Sequence, residues 1–479
     1  MPRGGFAYDV FGDGKTVVRG GSGIFYQDRL PGFFNLSQAS FVPNNESISY
    51  SNGAMYSAGA ATPGGPWNDP YCTTTAFCAA GKLANPFPYT LPFPSTQTFP
   101  NGITLVEYDP SGNFQVPVTY DYNLTIEHQL ASSWAARLAY VGSGSRHQFV
   151  NLELNPEVNN GVGGSANNRR VYNTSPVVGP CLVNNSSCAA NYSDIIEAAM
   201  IGSANFNSVQ ASLEKKMSRG LSLLLNYTFA KTLDDMPQAT RVSNTEDLNA
   251  GESYVYPLYP SNATNVPAAA IVPNIKALDH GRSDIDKPQA ISFSYVYQLP
   301  KMHNGYRVLR YAANGWRTSG LIQHHSGDAL TAYYGSDNSL TGLSQDRDQE
   351  DFTKPAYLKQ VGYGSGDCKT AGKSCVAWLN PAAFSQPPQT GPGTGFGNVV
   401  KGSLRGPGYT NWDAGVIRQF PVYRETNLEF RVEYFDVLNH NDLGNPGVTS
   451  PLSTSTSFGT ITGSQGGPRI GQFSLKYTF

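Results

Sequence analysis

Six cysteines fall into three close pairs, Cys72 with Cys78, Cys181 with Cys188 and Cys368 with Cys375. Each pair sits in a stretch rich in Gly, Asn, Ser, Ala or Thr. An even number of cysteines in local pairs within polar segments reads as disulfides, which persist outside the reducing cytosol. Zinc is the rival chemistry, but it favours tighter Cys spacing with a second pair or a His close by, and no His lies near any of these pairs. Gly14-Lys15-Thr16 and Gly372-Lys373-Ser374 imitate the end of a phosphate loop. That loop needs a Gly about five positions before its Gly-Lys pair, where this chain has Asp9 and Asp367. The acidic run Asp346-Arg347-Asp348-Gln349-Glu350-Asp351, with Asp337 upstream, offers hard oxygen ligands in no calcium-loop spacing. His324 and His325 are consecutive and would point to opposite faces of a strand. His440 lies in the turn Asn439-His440-Asn441, whose role reads as structural. There is no Gly-x-Ser-x-Gly elbow. The residues therefore point to no catalytic group and no cofactor, and the acidic run reads as a solvated loop with calcium binding as its alternative. What remains is a set of charges, Glu429, Arg431 and Glu433 with Arg317, suited either to steering a charged ligand or to forming a salt-bridge ladder.

Those four charges sit within a pattern that recurs along the chain. Val118, Tyr120, Tyr122, Leu124 and Ile126 alternate with Asp121, Asn123, Thr125 and Glu127. The same period of two runs through Trp134–Tyr140, Val209–Leu213, Leu221–Phe229, Ile291–Leu299, Trp412–Phe420, Leu428–Tyr434 and Phe473–Phe479. It is the period of strands with one buried face. Composition agrees: charged residues are only 14 % of 479, below the usual share, while 28 Tyr and 24 Phe argue against disorder. A net charge of −2 leaves no footprint for nucleic acid. No apolar run is long enough for a spanning helix.

Alternation alone fits both a soluble sandwich and a membrane barrel. Three features favour the barrel. The faces opposite the apolar ones are densely polar, as a wet lumen requires. Several runs reach about ten residues, the length a tilted strand needs to cross a bilayer. The connections also alternate between short and long. Short links follow Phe11, Leu130, Met217 and Phe420, with 300–313 placed among them. Long ones fill 27–115, 155–204, 232–288, 327–408 and 439–466. Short periplasmic turns and long outer loops are the rhythm of outer-membrane barrels. The expected fold is thus all-β, an antiparallel transmembrane barrel of about eleven strands with all three cysteine pairs on the outer side. Lys215 and Arg418 share the apolar phase beside short turns, where they would snorkel to the periplasmic interface.

Five stretches resemble a known family: GDGKTVVRGGSGIFYQDR (12–29), FNSVQASLEKKMSRGLSLLLNYTFAKTLDD (206–235), SDIDKPQAISFSYVYQLP (283–300), NLEFRVEYFDVLNHNDLGNPG (427–447) and GQFSLKYTF (471–479). They are similar to the TonB-dependent outer-membrane receptors, in particular the Oar-like β-barrel group. The resemblance implies that Phe473, Leu475, Tyr477 and Phe479 form the terminal signal read by the barrel-assembly machinery. It also implies residence among outer-membrane lipids of a Gram-negative bacterium. Family members carry a signal peptide, a TonB-contacting segment and a plug domain before a larger barrel, so residues 1–479 are expected to be the carboxy-terminal part of such a barrel, with plug and signal absent.

The expected function is non-enzymatic. Outer loops, with 27–115 and 327–408 as candidates, capture an unknown ligand, and the TonB energy-transducing system opens a path through the missing amino-terminal part. The alternatives are a passive outer-membrane channel or a surface adhesin on a barrel scaffold. A soluble secreted β-protein would have to explain the terminal Phe and the turn rhythm.

Overall fold

Period-two alternation is realised as one long sheet whose spanning strands are antiparallel neighbours; the short segments Ile103–Tyr108, inside the expected loop 27–115, and Tyr254–Val255 join its extended ends in parallel. A computed structural model of the chain describes residues 2–26, 103–108, 115–153, 170, 192–235, 254–255, 280–335, 337–338, 349–358, 375–387, 397–423, 426–449 and 457–479. Eleven strands follow one another in chain order and pair as neighbours. They are β1 (Arg3–Asp9), β2 (Thr16–Tyr26), β3 (Val118–Ala131), β4 (Trp134–Glu153), β5 (Tyr192–Ser218), β6 (Leu221–Asp234), β7 (Gln289–Gln298), β8 (Trp316–His325), β9 (Tyr409–Tyr423), β10 (Thr426–Phe435) and β11 (Ile470–Thr478). Among the described residues β1 pairs only with β2 and β11 only with β10, so the sheet is open at both edges.

The short turns gather at one end. Asp9 accepts from the amides of Gly12 (3.1 Å) and Gly14 (2.8 Å), closing the first turn. Gly220 (φ +80°) approaches so near to β7 that a Cβ would stand 2.7 Å from the Gln298 carbonyl oxygen. Only glycine serves there. At the other end β5 runs for 27 residues, roughly 90 Å of extended chain at about 3.3 Å per residue, well beyond a bilayer's hydrocarbon. The expected loop 155–204 therefore partly continues the sheet.

Other connections also depart from expectation. The link after Phe420 starts later, because β9 continues through Pro421 to Tyr423, with an irregular register between those two residues. A proline at that position is tolerated beside an irregularity in the ladder. The link at 300–313 contains a helix, α1 (Arg307–Ala313). The outer segments around 327–408 and 439–466 are more than polar loops. They carry three two-stranded sheets and a core of Leu330, Ala332, Leu379, Val399, Leu404 and Phe458, each at most 7 % exposed.

On the apolar face of the spanning sheet, four glycines lie directly across from aromatic residues: Gly20 from Phe6, Gly142 from Tyr122, Gly320 from Tyr295 and Gly471 from Tyr434. Each ring stands within 3.0 Å of where a Cβ would lie. Glycine leaves a gap in the face, and the aromatic from the neighbouring strand covers it.

Candidate functional site

The charges singled out in the sequence lie on one face. Glu429, Arg431 and Glu433 occupy alternate positions of β10, which points them the same way. Arg431 donates to Glu429 (2.9 Å) and to Glu433 (3.3 Å), and Gln419, directly opposite on β9, donates to Glu429 (2.9 Å). Arg317 joins this face through the row Arg317, Ile417, Arg431 and Ser474. Two acids and two bases cancel. Arg431 bridges the two carboxylates, so the set is a ladder rather than a field of one sign.

Register carries this face across the sheet. Arg431 shares it with Asn411, Gln323, Ser292 and Asn226, and then with Ser212, Arg137 and Glu127. Over β2 to β6 it encloses a hollow of about 490 Å³ lined by Arg19, Glu127, Arg137, Ser212, Glu214 and Asn226 among others. A hollow bordered by five successive strands on the polar side fits that side as the inner, concave face of a barrel wall. The opposite face is apolar and exposed: Leu124, Tyr140, Val209 and Phe229 form one row across it. Phe473, Leu475 and Tyr477 continue it beside Val432, Phe430 and Leu428, and Phe479 follows the last strand, 97 % exposed.

Lys215 and Arg418 lie on that apolar face near the short-turn end, but they do not reach into solvent. Both are at most 8 % exposed. Lys215 donates to the carbonyls of Ser218 (2.7 Å) and Leu221 (2.6 Å) and stands over the Trp134 ring. Arg418 donates to the carbonyls of Tyr311 and Ala312 and is surrounded by the rings of Tyr311, Trp316 and Phe420. Backbone carbonyls left open by the turns give these cations a nearer partner than water.

The outer strand ends hold residues that the sequence alone did not single out. Asp286 is fully buried. Its carboxylate accepts from the Thr232 amide (2.6 Å) and from Arg282 (3.0 Å), and it pairs with Arg405, whose guanidinium also reaches the Asp286 carbonyl (2.6 Å). Lys401 and Asp234 form a second buried pair. Asp235 accepts from the Ser203 hydroxyl at 2.7 Å. Lys401 and Arg405 both come from the segment 397–406, so the two clusters fasten the packed outer segments to β6 and to 281–287. Burial, reinforced by the charge of Asp234, holds the Asp284 carboxyl above its ordinary range. The available signal was the acidic pairs of TLDD and SDID in two of the resembling stretches, each at a strand end.

Next to the outer core lies a cavity of about 300 Å³ lined by Leu358, Ala377, Leu379, Pro381, Phe458 and Thr460, among others. Trp378 donates from its indole to the Arg405 carbonyl (2.9 Å), and Phe384 meets Phe458 edge to face. Of the cysteines only Cys375 is among the described residues. It is buried and disulfide-bonded. Cys72, Cys78, Cys181, Cys188 and Cys368 lie outside them, as do Asp346, Asp348, Gly372 and the loop 27–102. No group of acidic, His and Cys side chains able to hold a metal occurs among the described residues. Asp351 is occupied by Thr353 (2.6 Å) and Lys354 (3.0 Å). His324 meets Thr410 (2.7 Å) while His325 stacks on Tyr409.

Residues 1–472 match the sequence family described as the outer membrane beta barrel domain. No curated protein matches the chain. Among solved structures it is similar to the outer membrane transporter YddB of Escherichia coli, at 11 % identity and a TM-score of 0.43, covering 98 % of this chain and 39 % of that one. It is also similar to the pyoverdine-bound receptor FpvA of Pseudomonas aeruginosa (10 % identity, TM-score 0.36, 99 % and 32 % covered). A third is the ferric-catecholate import receptor Fiu of E. coli (8 %, 0.35, 99 % and 34 %). The chain thus spans about two fifths or less of the length of these structures.

Proposed function

The chain belongs to the outer membrane β-barrel family, and from that premise we propose that it is the barrel portion of a TonB-dependent receptor, of the Oar-like kind, that moves a ligand across the Gram-negative outer membrane. The observation that carries this reading is the packed outer cap. A receptor that captures ligand with its outer loops needs those loops preordered, since ordering them on binding would subtract from affinity. Here the cap has its own core and is fastened to the strand ends by the Asp286 and Lys401 clusters. The apolar cavity beside Phe458 is the candidate contact for ligand.

In this reading the concave polar face lines the lumen and the apolar face meets lipid. The neutral ladder of Glu429, Arg431 and Glu433 then offers hydrogen bonds to an interior domain without excluding a charged ligand. Phe473, Leu475, Tyr477 and Phe479 present the assembly signal to the barrel-assembly machinery. The three cysteine pairs brace the outer loops as local disulfides. No step involves covalent catalysis. Cells producing the whole receptor that contains this chain should deplete one or a few solutes from their medium, followed by mass spectrometry, and should stop when TonB is deleted. Depletion indifferent to TonB would make the protein a passive channel, and no depletion at all would favour an adhesin.

A further inference from the structure

The longest described connection at the short-turn end joins β7 to β8 and carries α1. Every residue from Gln298 to Ala312 is exposed. The run includes Leu299, Met302, Tyr306, Val308, Leu309 and Tyr311, with Tyr306 at 82 % and Val308 at 78 %. Helix α1 spans seven residues, buries none of them and has no side-chain cap at its amino end. A helix this short is not stable in water without packing, so its burial must come from something else. The segment is nonetheless tied to itself. Asn314 accepts from the Met302 amide (2.6 Å) and donates to the Met302 carbonyl (3.1 Å), and Arg310 donates to the His303 carbonyl (3.2 Å).

Two further observations say what covers it. Arg418, on the apolar face of β9, donates to the Tyr311 and Ala312 carbonyls, and the indole of Trp316 donates to Ala312 (2.9 Å). Trp316 and Arg418 are directly paired on that face, in one row with Phe430. The carboxyl end of α1 is therefore tied to the convex apolar flank and not to the concave polar side. The charge is also of one sign: Lys301, Arg307 and Arg310 occur in the connection without a single acid between residues 299 and 327.

We propose that α1 and its flanks lie in the headgroup layer of the periplasmic leaflet, with Val308 and Leu309 against the acyl boundary and Lys301 and Arg307 on the phosphates of anionic phospholipid. Exposed apolar residues interleaved with cations are the composition of an interfacial segment. The short-turn end is the periplasmic end of such barrels, which puts this segment at the inner leaflet.

The test places a benzophenone amino acid at Val308 in the full chain, and a control at Asp13 in another turn at the same end. The refolded protein goes into vesicles of phosphatidylethanolamine with phosphatidylglycerol, or of phosphatidylcholine alone, and adducts are weighed after illumination. Lipid adducts at Val308 should exceed those at Asp13 several-fold, with phosphatidylglycerol enriched over its share of the vesicle. Lys301→Glu and Arg307→Glu should each lower that enrichment about fivefold, with heat-modifiable migration unchanged. If either variant fails to fold, the comparison of vesicle compositions in the unsubstituted background decides alone. Equal yields at the two positions, or no preference for the anionic lipid, would overturn the proposal. So would adducts at Val308 in whole cells that are mainly to a periplasmic protein.

Discussion

The spanning sheet and the outer cap are built from the same residue types but place them in opposite ways. In the cap, Leu330, Leu379, Val399, Leu404 and Phe458 turn inward and are almost fully buried. In the sheet, Leu124, Phe229, Phe473 and Leu475 turn outward and stay exposed on a convex face. Most of the buried hydrophobic side chains among the described residues belong to the cap. On the proposed placement in the membrane the difference is one of solvent: the cap stands in water and must enclose its own apolar surface, whereas the sheet has lipid on one side and needs no second layer. Ionic groups follow the same division. At the junction with the cap, Lys401 with Asp234 and Arg405 with the buried Asp286 hold segments together, while Glu429, Arg431 and Glu433 of the sheet form a more open ladder on the concave side.

This contrast is most exposed at the clusters joining the two regions. Asp286→Ala leaves Arg405 and Arg282 without their shared carboxylate, a loss of about 3–5 kcal/mol for breaking a buried pair from one side. Hydrogen exchange should rise in 327–335 and 397–406 while β7 and β8 remain protected. Next come paired truncations. Leu379→Ala should cost the cap about 2–5 kcal/mol by opening a cavity, whereas Leu475→Ala on the convex face should change the sheet's denaturation midpoint far less, because lipid refills the space. A charge tests the same division from the other side. Phe293→Arg, on the apolar face in the middle of β7, should weaken folding into vesicles by about 2–4 kcal/mol, as expected for a lipid-facing cation near the midplane, whereas Phe430→Arg, in the row of Trp316 and Arg418 near the short turns, should cost only about 0–1 kcal/mol.

Two smaller effects follow. On the proposed local pairing of the cysteines, reduction should remove about 2–3 kcal/mol of loop order at each short ring and leave heat-modifiable migration of the sheet intact. Non-reducing peptide mapping should recover 72–78, 181–188 and 368–375. The pH response should be smaller still and two-sided. Asp284 is raised above the ordinary aspartate value of 3.8, chiefly by burial. Its folded form prefers the proton, so its contribution is present at low pH and fades as pH rises through its folded value. Asp328 is pushed up by burial, but hydrogen bonds from Asn445 and Lys287 outweigh this and hold it below 3.8, so its contribution is lost as pH falls through that lower value. Asp284→Asn should therefore flatten the rise in cap opening as pH climbs above the ordinary aspartate value, measured by exchange in 281–287.

The sheet was largely legible in the sequence because a period of two needs only local information. Alternation marked most of the spanning strands, and the rhythm of connections supplied the others and many of their ends. The cap was not legible. Its core is assembled from Leu330, Leu379, Val399, Leu404 and Phe458, residues spread along the chain with no shared period, and its strands are two residues long. Asp234, Lys401, Asp286 and Arg405 looked like ordinary solvated charges for the same reason: each is paired with a partner more than a hundred residues away. Arg418 was recognised as a cation in an apolar phase, but the helix that receives it was hidden in what read as a plain turn.

The central claim is that one face of the sheet meets lipid and the other an aqueous interior. Nitroxide labels placed one at a time at 428–434 of β10, in the full chain folded into phospholipid vesicles, test it directly. Leu428, Phe430, Val432 and Tyr434 should be accessible to oxygen and shielded from a water-soluble nickel reagent, with Glu429, Arg431 and Glu433 showing the reverse, in strict alternation. Equal exposure of both sets to the nickel reagent would contradict the account.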